Sequence, residues 1–230
     1  MEHSEKQQLI NNKLIELDLL KEDIAICNRC PLFKTRSNTV PGEINLNSDI
    51  VFVYDAPNID SDLVGKPMVG SSGTLFNSLI HDYMNLNRED VSVLTFIKCV
   101  PIYNSNEISY RPKRESVFWC AEYIYKQLEI LDPKLIICLG YNTFSYLLRN
   151  DNAFFKSKEK ISIKNYVGKL YKINSILDTS KSWFLIPCPG IMSFELNHYS
   201  TDVLKDIKVI YDKIRSGEDM EDLLRDSTNL

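Results

Sequence analysis

Four short, continuous apolar runs recur along the chain and separate segments with helical patterns. They cover residues 49–54, 91–96, 134–139 and 183–187. A continuous apolar run, as opposed to an alternating one, is typical of a strand buried on both faces of a sheet. The pattern therefore predicts four strands in the interior of a protein core.

Helical patterns lie between these runs and at both ends of the chain. They cover residues 9–24, 73–84, 114–131, 141–148 and 200–214. Strand and helix thus alternate, which favours a parallel sheet covered by helices, with functional loops at the carboxyl ends of the strands. We expect an α/β fold, a three-layer α/β/α sandwich around a four-stranded, mainly parallel sheet.

The length of 230 residues fits one α/β domain. We place this domain at residues 1–216, with an N-terminal helix at 1–26. Residues 150–182 are polar and rich in lysine, and we interpret them as a variable insertion with a β-hairpin at 165–173. Residues 217–230 form a short acidic tail, which we expect to fray.

Composition narrows the class of protein further. The chain is 44% hydrophobic and 25% charged, which indicates neither disorder nor a fibrous repeat. No apolar run approaches the roughly 18–20 residues that span a bilayer, and the N-terminus is polar, unlike a secretion signal. We therefore expect a cytoplasmic protein with no membrane partner.

The formal net charge of −4 does not by itself indicate a nucleic-acid-binding protein. Proteins that neutralise phosphates usually carry a basic surplus. Two basic stretches, at 111–114 and 156–172, could still supply a local basic face. The alternative for the second stretch is an ordinary solvated, lysine-rich surface.

The six cysteines are poor disulfide candidates in a reducing compartment, so their spacing points first to metal or catalysis. Cys27 and Cys30 form a C-x-x-C pair in a Pro-containing turn; zinc, a redox disulfide or chance could explain such a pair. Cys99 follows the second predicted strand, and Cys120 lies in the next helix. Four thiolates without a nearby histidine suit zinc or an iron-sulfur cluster equally. Cys138, within the third strand, is predicted to be a core residue.

The sequence around these cysteines resembles the family 4 uracil-DNA glycosylases. The segments CNRCPLFKTR, VFVYDAPNIDSDLVGKPMVGSSGTLFNSLI, FIKCVP and CAEYIYKQLEILDPKLIICLG follow one another in order, within roughly residues 24–148. In that family the target nucleotide is extruded from DNA into a pocket, where its glycosidic bond is cleaved. The resemblance implies DNA as the partner and a 4Fe-4S cluster as the cofactor. It assigns the cluster ligands as Cys27, Cys30, Cys99 and Cys120.

The base pocket departs from the family pattern at several positions. The family's Gly-Glu-Ala-Pro-Gly corresponds to Tyr54-Asp55-Ala56-Pro57-Asn58, so the candidate catalytic carboxylate, Asp55, is retained but is one methylene shorter. A displacement of about 1 Å can lower a rate about a hundredfold. Both glycines that flank this motif in the family are replaced.

Three further base-contacting positions also differ. The family phenylalanine that stacks on uracil is Met68, the asparagine that recognises the uracil edge is Thr95, and the histidine of a His-Pro motif is Cys188. Methionine has no π-face, a hydroxyl lacks the paired donor and acceptor of an amide, and a thiol is a weak donor. The implied base pocket comprises Tyr54, Ala56, Pro57, Asn58, Met68, Thr95 and Cys188.

Candidate DNA contacts lie in two loops. Gly70, Ser71, Ser72 and Gly73 precede a helix, and their backbone N–H groups could bind a phosphate; the alternative is a simple Ser or Thr N-cap. Met192 could wedge into the base stack or merely cover the core. His198 could replace the missing histidine functionally or could be an ordinary surface residue.

The four departures at base-contacting positions favour one hypothesis over two others. In the first, a superfamily member with a 4Fe-4S cluster binds DNA or a replication or repair protein, and its uracil excision is weak or lost. In the second, the protein is an active glycosylase that removes uracil or another deaminated base in base excision repair. In the third, it is a protein-interaction module that does not bind DNA.

Overall fold

A five-stranded sheet forms the centre of the fold. The computed structural model describes residues 2–104, 107–108, 112–148, 166–194 and 199–228. The strands are β1 (Ile50–Tyr54), β2 (Ser92–Thr95), β3 (Ile102–Asn104), β4 (Glu107–Ile108), β5 (Leu135–Leu139), β6 (Tyr171–Asn174) and β7 (Ser182–Cys188). The sheet order is β2-β1-β5-β7-β6, and β3 pairs separately with β4. The first four strands of the sheet are parallel, and β6 is antiparallel to β7.

The four predicted strands are confirmed as β1, β2, β5 and β7, but the sheet has a fifth strand. Residues 166–168 form a turn, and β6 pairs with β7 at the edge of the main sheet; this edge pairing replaces the separate hairpin expected at 165–173. Only Ile173 of β6 is buried. An edge strand with one buried face lacks the continuous apolar run that marks the interior strands.

Helices cover both faces of this sheet. They are α1 (Glu2–Ile26), α2 (Ile59–Val64), α3 (Gly70–Met84), α4 (Arg114–Leu131), α5 (Tyr141–Leu147), α6 (Tyr199–Ser216) and α7 (Met220–Thr228). Phe52 packs with residues of α3 and α6 on one face, and Val51 and Val53 pack with residues of α4 and α5 on the other. This arrangement confirms the three-layer sandwich. Helix α1 packs outside α4 through Leu20 and Ile24.

The acidic tail differs from the expectation of a frayed end. Its residues 220–228 form α7, and Leu223 is buried against the α3 and α6 side of the core. Lys172 of β6 forms an ion pair with Glu221 of α7. The acidic residues of this segment form one face of an amphipathic helix. The prediction of a frayed tail rested on charge alone and did not take the apolar face of this helix into account.

Several sequence predictions lie outside the described residues. These concern most of the variable insertion, the basic residues Arg111, Lys156, Lys158, Lys160 and Lys164, and His198. Within the ranges that are described, no helix has the length and apolar character needed to cross a bilayer.

Candidate functional site

A cavity of about 280 Å³ opens at the carboxyl ends of β1, β5 and β7. Its lining residues are Tyr54, Asp55, Met68, Leu139, Gly140, Tyr141, Asn142, Gly190, Ile191, Met192 and Ser193. In open α/β sheets the loops at this edge carry the ligand-binding residues. The cavity therefore lies where the strand order predicts a functional site, and its volume is large enough for a nucleobase.

Asp55 forms the acidic part of the cavity wall. It directly follows β1, and its own Oδ1 accepts a hydrogen bond from the Ala56 backbone N–H at 2.9 Å. Its Oδ2 accepts a second bond from Asn142 Nδ2 at 3.1 Å. Burial raises the pKa of Asp55 above its ordinary value, and these two hydrogen bonds lower it. The carboxyl group is thus fixed in orientation and made more basic, which suits a group that takes a proton from water.

Met68 covers the cavity from the loop before α3. It is buried, its backbone has a φ of 48°, and its N–H donates to the Tyr54 hydroxyl at 3.3 Å. Gly73 packs directly against this loop. A Cβ atom at residue 73 would be 2.1 Å from the Met68 carbonyl oxygen. The position of Met68 therefore depends on the absence of a side chain at residue 73.

Gly73→Ala should displace the Met68 loop and lower both stability and activity. The new methyl group cannot fit beneath the Met68 backbone, so we expect a loss of roughly 1–3 kcal/mol in the free energy of unfolding. Chemical denaturation measures this loss. The matched control is Asn77→Ala, an exposed position on the same helix, which should leave stability nearly unchanged. Equal stabilities of the two variants would contradict the proposed packing.

The residues around Asp55 have structural contacts outside the cavity. Ala56 packs against the α4 and α5 side of the core, and Pro57 is buried. Asn58 caps α2, since its side chain accepts a hydrogen bond from the Ser61 N–H at 2.8 Å. None of these three residues is among those that line the cavity.

Two other predicted pocket residues also lie away from the cavity lining. Thr95 is completely buried, and its hydroxyl donates to the Val40 carbonyl at 2.6 Å. Cys188 is completely buried in the core on the α3 side. Of the predicted site residues, the cavity thus brings together Tyr54, Asp55, Met68 and Met192.

Asn142, the amide that contacts Asp55, is not among the residues predicted from the sequence. Asn142 follows the third predicted strand by three residues, at the same sheet edge as Asp55. The rule that functional residues gather at the carboxyl ends of parallel strands could have identified it.

The candidate DNA-contacting residues lie in two places, the first turn of α3 and the lining of the cavity. Gly70–Gly73 form the first turn of α3, whose N-cap is Val69 and has no side-chain cap. The simple N-cap by Ser or Thr is therefore not seen, and Ser72 Oγ donates to the Val69 carbonyl at 3.1 Å. Met192 is 55% exposed on a 3-10 turn at Ile191–Ser193, beside the cavity.

The four predicted ligand cysteines line one separate small cavity. Cys27 follows α1, Cys30 begins the next turn, Cys99 lies beyond β2, and Cys120 lies in the second turn of α4. Cys138 is completely buried in the core and does not line this cavity. In the described part of the chain, no three His, Cys, Asp or Glu side chains are placed to hold a single metal ion. The fold nevertheless brings four distant thiols to one place.

Cationic and hydrogen-bonding groups surround these thiols. Arg36 Nη1 donates to Cys99 Sγ at 3.3 Å. Burial raises the pKa of Cys99 to about 11 and that of Cys120 to about 12. At Cys27 burial also raises the pKa, but hydrogen bonds from Arg29 and Tyr123 outweigh it and lower the pKa. The donors therefore favour a thiolate at Cys27, whereas burial favours the neutral thiol at Cys99 and Cys120.

A buried lysine lies between the cysteines and the sheet. Lys98 is almost completely buried, and its Nζ donates to the Thr95 carbonyl and, at 2.6 Å, to Gln127 Oε1. Burial lowers the pKa of Lys98, and the nearby thiols of Cys120 and Cys99 favour its charged form. Negative charge on these sulfurs would therefore compensate the buried cation.

Comparison with known proteins identifies the family. The family model of the uracil DNA glycosylase superfamily matches residues 41–194. The chain is 36% identical over 155 residues to the type-4 uracil-DNA glycosylase of Saccharolobus solfataricus, covering 67% of this chain and 69% of that protein. It is 36% identical over 157 residues to the Archaeoglobus fulgidus enzyme of the same name, covering 68% and 73%. For the Thermotoga maritima type-4 enzyme the identity is 33% over 152 residues, covering 66% and 72%. The chain therefore belongs to the uracil-DNA glycosylase superfamily.

Proposed function

We propose that this protein is a DNA glycosylase that binds a nucleotide extruded from DNA and hydrolyses its glycosidic bond. The observation that carries the proposal is the carboxylate of Asp55, fixed by two hydrogen bonds on the wall of a cavity at the functional edge of the sheet. The similarity to proteins named type-4 uracil-DNA glycosylases supports the same activity.

Asp55 would have two roles, since its carboxylate would stabilise positive charge on the sugar and would accept a proton from water. As the base departs with the electrons of the glycosidic bond, positive charge develops on the sugar, and a nearby carboxylate stabilises it. Water then forms the new bond to the sugar carbon, and Asp55 accepts the proton that this water loses. Asn142 and the Ala56 N–H keep the carboxylate in one orientation during these steps.

We also propose that uracil is excised more slowly than a complete family pocket would allow. Thr95 uses its hydroxyl on the Val40 carbonyl, and Cys188 is enclosed in the core, so neither supplies a pocket donor in place of the family's asparagine and histidine. An unmade hydrogen bond to the base costs a few kcal/mol in discrimination. We therefore expect weak uracil excision. A replication or repair partner remains a prediction, and the module without DNA binding rests on net charge alone.

The residues around the four cysteines fit a 4Fe-4S cluster, and we propose that this group is the cofactor. In such a cluster each thiolate binds its own iron, so the four sulfurs need not converge on one point as they would for zinc. Hydrogen bonds to the sulfurs from Arg36, Arg29 and Tyr123 are of the kind that tune such clusters. When bound, the cluster would supply redox-active iron and a link between α1, α4 and the loop after β2.

DNA would approach through the rim of the cavity. The uncapped first turn of α3, Gly70–Gly73, presents backbone N–H groups and a positive helix end, which suit a phosphate. The exposed Met192 beside the cavity is placed to wedge into the base stack when a nucleotide leaves it.

The direct test is base release from defined oligonucleotides. Purified protein is incubated with duplexes that carry a single uracil, a single hypoxanthine or only normal bases, and abasic sites are then cleaved with alkali. We expect strand scission at the deaminated base and none in the normal duplex. A protein that binds these duplexes without releasing any base would overturn the glycosylase proposal.

Met68→Phe should raise uracil excision about tenfold. The substitution restores the aromatic ring that stacks on uracil in the resembling family, and base–aromatic stacking contributes about 1–3 kcal/mol. Single-turnover rates on the uracil duplex measure the effect. Val209→Phe is the control, because it adds a ring at an exposed position of α6 that does not line the cavity. An equal gain in both variants would argue against a stacking position at residue 68.

A further inference from the structure

The amide of Asn142 has a fixed orientation in the cavity. Asn142 lies in the first turn of α5, directly after the Gly140 turn that ends β5 and has a φ of 92°. The Asp55 carboxylate only accepts hydrogen bonds, so the nitrogen of the amide must face it, at 3.1 Å. The Ser145 hydroxyl donates to the Asn142 backbone carbonyl at 2.8 Å and holds the same turn.

This orientation leaves a paired donor and acceptor on Asn142. The Nδ2 group has a second N–H, and Oδ1 has no hydrogen-bond partner among the residues the structure describes. Among the described residues that line the cavity, Asn142 is the one that carries a side-chain amide. An amide of this kind can form two parallel hydrogen bonds with a base edge that presents an N–H beside a C=O.

We infer that Asn142 recognises the base and selects a lactam edge, the N–H and C=O pair that deamination creates. Uracil carries this edge, and so does hypoxanthine. In the same position in the cavity, cytosine or adenine would place a ring acceptor opposite Oδ1 and an amino group opposite the remaining Nδ2 N–H, so both hydrogen bonds would be lost. The inference rests on the proposed glycosylase function and names its substrate class.

The sheet order explains how Asn142 can take over this task. Strand β1, which Asp55 directly follows, lies between β2 and β5 in the sheet. Thr95 ends β2 on one side of Asp55, and Asn142 follows β5 on the other. An amide at the start of α5 can therefore reach the same cavity from the opposite side, while Thr95 is bonded to Val40.

Binding to non-cleavable DNA tests the inference separately from catalysis. A 2′-fluorine stabilises the glycosidic bond, so duplexes with 2′-fluoro-deoxyuridine, 2′-fluoro-deoxyinosine or 2′-fluoro-deoxycytidine serve as probes. We expect the wild-type protein to bind at least one of the first two about tenfold more tightly than the cytidine duplex. Asn142→Ala should remove this preference without changing the affinity for cytidine, and the surface control Asn77→Ala should retain it.

A second variant and a second readout exclude a merely structural effect. Asn142→Leu keeps the volume of the side chain and should lose the same preference, and thermal melting confirms that each variant is folded. If Asn142 only positions Asp55, both variants will slow excision equally for all bases and leave the binding ratio unchanged, which would overturn the inference. A wild-type protein with no preference among the three duplexes, or no binding, would overturn it as well.

The two proposals can fail separately. Preferential binding that depends on Asn142, without release of any base from cleavable DNA, would support recognition and refute the glycosylase activity. Base release with no contribution of Asn142 to the preference would support the activity and refute the recognition.

Discussion

Asp55→Asn should reduce base excision at least about a hundredfold. The variant keeps the shape of the side chain but removes the charge that, in the proposed mechanism, would stabilise the sugar cation and the group that would accept the proton from water. General base catalysis alone is typically worth 10²–10⁴ in rate. Single-turnover excision from the uracil or hypoxanthine duplex measures the loss, and Asp55→Ala should give a loss of similar size.

The control lies at the other end of the same strand. Asp49 immediately precedes β1, is solvent-exposed and pairs with Lys134 at 3.2 Å. Asp49→Asn makes the same chemical change far from the cavity and should leave the rate nearly unchanged. Full excision by Asp55→Asn would show that the carboxylate is not part of the catalytic machinery.

The pH dependence of the rate follows from the environment of Asp55. Burial raises its pKa above 3.8, and only the ionised form can act, so the rate should fall as the pH drops through this raised pKa. Asn142→Ala removes a hydrogen bond that lowers the pKa, and the inflection should then move to higher pH. Rates measured across acidic buffers test both statements. Because the pKa is raised above the ordinary value of 3.8, a rate that is still flat at pH 3.8 would exclude this role.

The interior of the fold follows from the sequence more completely than its edges. β1, β2, β5 and β7 are buried on both faces, and burial imposes the continuous apolar runs from which they were predicted. Strand β6 and helix α7 lie at the periphery, where one polar face interrupts the run of apolar residues from which an element is predicted. Because residues 165–173 and 217–230 were judged by charge and polarity, β6 was not predicted as a strand of the main sheet and α7 was not predicted as a helix.

The site was predictable in part, because sequence alignment gives a position but not the direction of a side chain. Asp55 was placed correctly at the edge of the sheet, since it directly follows a predicted strand. Thr95 occupies a position that contacts the base in the resembling family, yet its hydroxyl turns to Val40. Neighbouring residues of a strand point to opposite faces, so small shifts at its end change what a side chain reaches. Asn142 comes from a helix that no aligned motif covers.

Cys120→Ser should abolish iron binding and destabilise the protein. Three thiolates and a hydroxyl hold a 4Fe-4S cluster poorly, so the broad absorption near roughly 400 nm should disappear together with the iron. The cluster would join segments that are distant in sequence, and its loss should lower the free energy of unfolding by roughly 2–5 kcal/mol, as for a native cross-link. Iron analysis, absorption spectra and denaturation of anaerobically purified protein measure these effects.

Cys138→Ala separates loss of the cluster from loss of core packing. Cys138 is completely buried within β5 and does not line the cavity of the four cysteines. The variant should lose some stability because it leaves a small void, yet it should keep its iron. Iron-free wild-type protein that contains stoichiometric zinc would contradict the cluster. Without the proposed cluster, Cys27 and Cys30 would not anchor the end of α1, and this helix would depend on its packing through Leu20 and Ile24. Limited proteolysis should then cut in α1 of Cys120→Ser first, while α1 of Cys138→Ala stays protected.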